Sequence, residues 1–245
     1  MKTRPPLDFR LLVEVWYAFS GFPFCSSPYA TEGQCEDDLL AGHSLFGYDV
    51  SGRSMVACFQ DGSTEAIDAW VREDGAVFLR ALGIGNGDRV LDFGCGPGGY
   101  VLALAQIVGP RGKVIAVDKD VSHLQSLQER IAEFPHRDTI EVHRTDGSLT
   151  LDWIAKGSLD AVLLFDVLQH ISDWDTLFAS VRRTLKPEGL LLVNPSHMSH
   201  PGKVDVKRMK ARLAARGFAL ERAKRARVMH YDFLHEEKIL VFRAQ

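Results

Sequence analysis

Apolar and polar positions fall into two repeating periods along most of this chain, and the periods alternate. Arg89 to Phe93, Lys113 to Val117 and Leu159 to Phe165 are nearly unbroken apolar runs, as in strands buried on both faces of a sheet. Tyr100 to Val108 is apolar nearly all round, as in a helix packed against such a sheet. A second helix is predicted from Asp120 or Ser122, with Leu124, Leu127, Ile131 and Phe134 as its inner stripe and Pro135 as its stop. Thr139 to Arg144 alternates as a strand. A capping box of Ser172 and Asp175 opens a helix with the stripe Trp174, Leu177, Phe178, Val181 and Leu185, and Leu190 to Val193 forms the next strand. Residues 203–216 predict a helix with Val206, Met209 and Leu213 inward and Gly217 at its end; Phe218 to Leu220 and Ile239 to Phe242 supply two last strands. Strands and helices in alternation predict an α/β fold, a doubly wound, mostly parallel sheet.

Upstream the pattern is less regular. Thr64 to Leu82 reads as a helix pair or one kinked helix, capped by Ser63 or Thr64. Its stripe is Ile67, Trp70, Val71, Phe78, Leu79 and Leu82, with a break at Asp74-Gly75 and an end at Gly83. Leu7, Leu11, Leu12, Val15 and Phe19 predict a first helix between Leu7 and Ser20, followed by the breaker-rich GFPFCSSPY. Residues 1–62 form an extension that lacks strand runs; residues 63–245 form the α/β domain.

Composition narrows the function classes. Of 245 residues 46% are hydrophobic, which argues against disorder, and the net charge of -3 sets up no global attraction to nucleic acid or membrane. Cys25, Cys35, Cys58 and Cys95 have no paired spacing, so no metal site is expected, and free thiols suit a reducing cytosol. Asp8, Arg10 and Glu14 interrupt what would be a signal core, and no uninterrupted apolar run could span a bilayer; the expected location is cytoplasmic. Basic residues crowd between Lys203 and Arg227. A solvated face explains them, as does a surface for an anionic partner such as nucleic acid, but no recognisable RNA-binding module accompanies them.

The chemistry concentrates in RVLDFGCGPGGYVLALAQIVGPRGKVIAVDKD, residues 89–120. Gly94, Cys95, Gly96, Pro97, Gly98 and Gly99 give a turn that a ligand can approach closely, and Asp118 ends the next strand, where open parallel sheets bind ligands. Gly94, Gly96 and Gly99 fit the dinucleotide spacing G-x-G-x-x-G, which leaves an NAD-type oxidoreductase open. Asp92, two residues before the first glycine, would repel a pyrophosphate but could pair with a cationic amino group. The acid followed by Gly94, Gly96 and Gly98 resembles the first motif of the class I S-adenosylmethionine-dependent methyltransferases, and FDVLQHISD with LKPEGLLLV resembles the middle motifs of their small-molecule members. Glu188 departs from the second glycine usual in that turn, and Gln169 with His170 from the usual paired histidines.

The resemblance covers residues 64 to 243. It implies a seven-stranded sheet ending in an antiparallel pair, with the N-terminal extension as a helical lid that could bring His43, Tyr48 and the aromatics near Phe22 to the acceptor. It implies S-adenosylmethionine as cofactor, held by Asp92, Gly94, Cys95, Gly96 and Gly98, by Asp118 at the ribose, by Lys119 over the adenine, by Asp146 with Gly147 at the adenine amino group, and by Phe165, Asp166 and Val167. Methyl transfer from a sulfonium rests on in-line positioning with water excluded, and a general base is needed only where the nucleophile must lose a proton. His170 is the candidate base, because histidine titrates near neutral pH; His197 and His200 lie at the same edge. The expected partner is a small-molecule methyl acceptor. A methyltransferase acting on RNA or protein through the basic region, and a binding scaffold without turnover, are the alternatives; the acceptor and the oligomeric state are not legible.

Overall fold

The computed structural model describes residues 67, 69–195, 204–230 and 233–245. The N-terminal extension with its expected helix and lid contacts, the Ser63/Thr64 cap, and His197 and His200 lie outside the described residues. Trp70–Asp74 is a π-helical turn that runs without a break into helix α1, Gly75–Ala81; both residues at the expected Asp74-Gly75 break are right-handed helical. Gly75 serves space rather than flexibility: a Cβ there would stand 2.8 Å from the Trp70 ring.

The remaining elements alternate as expected: β1 Arg89–Phe93, α2 Gly99–Val108, β2 Lys113–Asp118, α3 Val121–Ala132, β3 Ile140–Arg144, β4 Leu159–Phe165, α4 Trp174–Thr184, β5 Leu185–Asn194, α5 Val206–Ala215, β6 Phe218–His230 and β7 Phe233–Ala244. They build a seven-stranded sheet in the order β3-β2-β1-β4-β5-β7-β6. The first five strands run parallel, while β7 is antiparallel to both β5 and β6. This is the doubly wound sheet with a closing antiparallel pair. One apolar layer packs α1, α2 and α3 on one face, through Leu79, Leu104 and Leu127. The other packs α4 and α5 on the opposite face, through Phe178, Met209 and Leu213. Burial on both faces is why the central strands read as continuous apolar runs.

Local chemistry corrects several expectations. The cap of α4 is Asp173, whose side chain accepts from the Thr176 N–H, so the Ser172 and Asp175 capping box does not form. Leu185 is buried as the first residue of β5, opposite Leu159, not as the last of the helix stripe. Val206 is exposed at the start of α5, and Val204, just before the Asp205 cap, is buried in its stead. The last two strands are far longer than the apolar segments suggested. The middle of β6 carries partly and fully exposed basic residues while its backbone still pairs with β7. Part of the basic crowd is neutralised within the fold: Arg212 lies 2.9 Å and Arg216 3.5 Å from Asp175, and Arg222 donates to the Leu82 carbonyl.

Candidate cofactor and active site

Parallel pairing aligns the carboxyl ends of β1, β2 and β4, with Phe93 level with Val117 and Asp92 with Leu163. The loops that leave those ends, the loop after β3 and the end of β6 enclose a cavity of about 500 Å³, within the usual range for small-molecule sites. The glycine turn forms one wall. The N–H groups of Gly94 and Cys95 both donate to the Val117 carbonyl, at 2.7 and 3.0 Å, which ties the turn to the end of β2. Gly98 has φ +86°, and a Cβ there would collide with the Leu127 side chain. At Gly96, φ +54°, a Cβ would meet nothing within 4 Å, so the missing side chain leaves room for a ligand to approach the backbone.

Two carboxylates face this wall. Asp92 is 2% exposed, and its Oδ2 has no hydrogen-bond partner among the described residues. Burial, and then the nearby Asp118, push its pKa up to about 7. A carboxylate buried without a partner is unfavourable unless a cation or donor meets it. Asp118 is held in place: Oδ2 accepts from the Gly96 N–H at 2.8 Å and Oδ1 from the Asp120 N–H at 2.9 Å. Each carboxylate oxygen can accept a second hydrogen bond, so two hydroxyls could share this group. Lys119 lines the same end. Asp120 turns away to cap α3, accepting from the Ser122 N–H at 2.8 Å.

The structure brings Asp92, Gly94, Cys95, Gly96, Asp118, Lys119, Gly147, Phe165, Asp166, Val167 and His170 to the cavity lining. Gly98 stands behind that wall, against Leu127. Asp146 is exposed and outside the lining; its Oδ1 accepts from the Ser148 N–H at 2.9 Å, while Thr145 and Leu149 line the cavity on either side of it. His170 closes a short 3-10 turn, Leu168–His170, and is exposed at the rim.

The opposite wall holds residues the sequence pattern did not single out. His230, 4% exposed at the end of β6, places Nδ1 2.9 Å from Asp166 Oδ2, and Asn194 Nδ2 donates to Asp166 Oδ1 at 3.1 Å. Asp166 holds a left-handed backbone, φ 52°. Burial raises its pKa, and the hydrogen bond from His230 opposes that rise. Tyr100 donates its hydroxyl to the Met229 carbonyl at 2.7 Å and meets the Phe165 ring edge-on at 4.9 Å. Trp70 packs edge-on against Tyr100 at 5.4 Å and donates to the Arg227 carbonyl at 3.2 Å. The available signal was the three-residue interval between the apolar pairs Val228-Met229 and Phe233-Leu234, which is hairpin spacing. Among the described residues, no cluster of His, Cys, Asp or Glu could hold a metal ion, and no helix is long and apolar enough to cross a membrane.

Residues 90–189 match the family model described as a methyltransferase domain. An uncharacterized 37.1 kDa protein in a transposon of Streptomyces fradiae is 32% identical over 177 residues, covering 70% of this chain and 48% of that protein. A demethylmenaquinone methyltransferase of Lactococcus lactis is 28% identical over 124 residues, covering 50% of this chain and 48% of that enzyme. The chain thus spans about half the length of the curated relatives it matches. A SAM-dependent methyltransferase from Aquifex aeolicus superposes with a TM-score of 0.58 over 76% of this chain and all of that one; at 18% identity the likeness speaks for the fold alone. The matched segment runs from β1 to the turn within β5, so the strand order and glycine wall described above lie in a methyltransferase domain.

Proposed function

We propose that this protein binds S-adenosylmethionine in the cavity at the carboxyl ends of β1, β2 and β4 and transfers its methyl group to a small-molecule acceptor, with residues 63–245 as the domain that does so. The observation that carries the reading is Asp92: a buried carboxylate with an unpartnered oxygen beside an open glycine wall fits the cofactor's cationic amino group and opposes a pyrophosphate. Asp118, pre-set by two backbone N–H groups, fits the ribose hydroxyls. The Lys119 stem would cover the adenine, and the Asp146-Gly147 turn would meet its amino group. Relatives named demethylmenaquinone methyltransferase support a small-molecule acceptor.

When bound, the cofactor supplies a methyl group already activated by a positively charged sulfur. The task left to the chain is to align the acceptor, exclude water and hold charge. Phe165, Val167 and Met229 give the far end of the cavity an apolar lining suited to excluding water. Calorimetric titration with S-adenosylhomocysteine, with NAD as the comparison, tests the reading. Micromolar binding of the first ligand and none of NAD is expected; binding of NAD alone would sink it.

A further inference from the structure

The cavity carries more fixed negative charge than the methyl donor would answer. Asp92, Asp118 and Asp166 line it, with Asp120 turned away to cap α3, and among the described residues Lys119 is the one lysine or arginine in the lining. S-adenosylmethionine brings two positive charges, on its amino group and its sulfur, and one negative, on its carboxylate. With Asp92 at the amino group and Asp118 at the ribose, the carboxylate left over is Asp166. We infer that Asp166 anchors the methyl acceptor and that the accepting atom is the nitrogen of an amine. The inference rests on the methyltransferase reading and deepens it by naming the acceptor class.

Asp166 is held for such a task. Asn194 Nδ2 donates to its Oδ1 at 3.1 Å and His230 Nδ1 lies 2.9 Å from its Oδ2, so both oxygens are fixed in direction. Each oxygen can accept a second hydrogen bond, and the side chain, 17% exposed, reaches the cavity lining. Among the described residues no lysine or arginine pairs with Asp166 or Asp92. Burial raises the pKa of Asp166, so its ionised form gains from a cation brought beside it. Both acids act on one small region: burial, then the charges of Asp166 and Asp92, push the Tyr100 hydroxyl well above the ordinary phenol range. Phe165, Val167, Ile171 and Met229 give this end apolar walls, suited to an acceptor with a carbon body.

Charge then selects the nucleophile. A phenol, thiol or carboxylic acid reacts as its anion, which Asp166 would oppose. A neutral amine gains positive charge as it reacts. Its lone pair forms the bond to the methyl carbon while the carbon–sulfur bond breaks, with the electron pair left on a neutral sulfur. Positive charge leaves sulfur and develops on nitrogen, where a fixed carboxylate stabilises the transition state more than the uncharged amine. Only the free base carries that lone pair, so an entering ammonium first gives its proton to water, and the product leaves as the methylated ammonium.

The test varies charge at constant shape. The full chain, saturated with S-adenosylhomocysteine at neutral pH, is titrated calorimetrically with benzylamine, which is then a cation, with benzyl alcohol and with benzoate. Benzylamine should bind about tenfold or more tightly than benzyl alcohol, and benzoate should give no heat. Asp166→Asn, shown to be folded by thermal melting, should lose that preference while still binding S-adenosylhomocysteine. In transfer assays from radiolabelled S-adenosylmethionine, benzylamine should be methylated and 4-cresol should not, with Asp166→Asn slower on the amine by about tenfold or more. Equal or undetectable binding of the three probes by the wild-type protein would overturn the proposal without any variant. So would a preference for the cation that survives in Asp166→Asn, or methylation of 4-cresol but not of benzylamine. A variant that binds S-adenosylmethionine more weakly, yet keeps S-adenosylhomocysteine and the amine preference, would move the carboxylate to the sulfonium and overturn it too. Failure of the wild-type protein to bind S-adenosylhomocysteine would instead remove the methyltransferase reading beneath it.

Discussion

Under β1 and β2 the cavity is shaped by backbone: a glycine turn folded onto Val117 and carboxylates at strand ends, supplied by residues that follow one another within 32 positions, 89–120. Under β4 and β6 it is shaped by side chains that converge from distant parts of the chain, Tyr100, Asp166, Asn194 and His230. The first end should therefore fail when atoms are added to the chain path. The second should fail when a side chain of its hydrogen-bond network is removed.

The largest effect is expected at Gly98. Gly98→Val places a branched side chain at φ +86° and against Leu127, combining a strained backbone worth about 1–3 kcal/mol with overpacking worth about 1–3 kcal/mol. Calorimetry should detect no binding of S-adenosylhomocysteine, with a lowered melting temperature; retained affinity would break the backbone account of this end.

Asp118→Ala comes next. It removes the acceptor of the Gly96 and Asp120 N–H groups as well as the expected ribose contacts. Hydrogen bonds to charged groups contribute about 1.5–3 kcal/mol each, so titration should show affinity falling by about 100-fold, with NAD still not bound.

Asp92→Asn sharpens the comparison because stability and binding should move in opposite directions. The folded-state pKa of Asp92 is raised from 3.8 to about 7. The native state therefore holds this proton more tightly than the unfolded chain does. Its contribution to stability is intact below pH 4 and is lost progressively as pH rises toward 7, by roughly 4 kcal/mol in all. Chemical denaturation at pH 5 and pH 8 should show Asp92→Asn increasingly more stable than wild type at the higher pH. The same variant should bind S-adenosylhomocysteine about tenfold or more weakly. Because the amino group requires the ionised carboxylate, wild-type affinity should itself fall by about tenfold per pH unit below 7, with proton release visible when titrations are repeated in buffers of different ionisation enthalpy.

The smallest effect is expected at His170. It is exposed at the rim, so His170→Ala should raise the KM for the acceptor by only a few-fold, the order of a surface contact. A large fall in kcat would instead place His170 among the groups that touch the reacting atoms.

What was legible in the sequence follows the same division. Strand and helix placement held for β1, β2, β4 and α3, because burial on both faces writes itself as an apolar run and Asp120 writes its own cap. The glycine-turn end of the cavity was legible because its parts are neighbours in sequence. Asp146 joined the list from its position after β3, but its side chain serves its own turn through Ser148. His230 was not legible: β6 carries Arg222, Lys224 and Arg225 along its middle, so its pattern resembles a solvated segment until it reaches Val228 and Met229. The true cap of α4 was missed by one residue because Ser172 and Asp173 are both good cap residues, and only the backbone path decides between them.

The indole hydrogen bond from Trp70 to Arg227 spans 157 residues. Through Trp70, Tyr100 and Met229 it links the helix before β1 to the hairpin that presents His230. During synthesis the strands that carry the glycine turn and Asp118 leave the ribosome well ahead of β6 and β7, and they can pair as soon as they emerge. The imidazole reaches its carboxylate only after the hairpin closes the far edge of the sheet. A nascent chain can thus complete the backbone-built end of the cavity while the end lined by Asp166 and His230 is still open to water, and assembly order itself separates the two halves of the site.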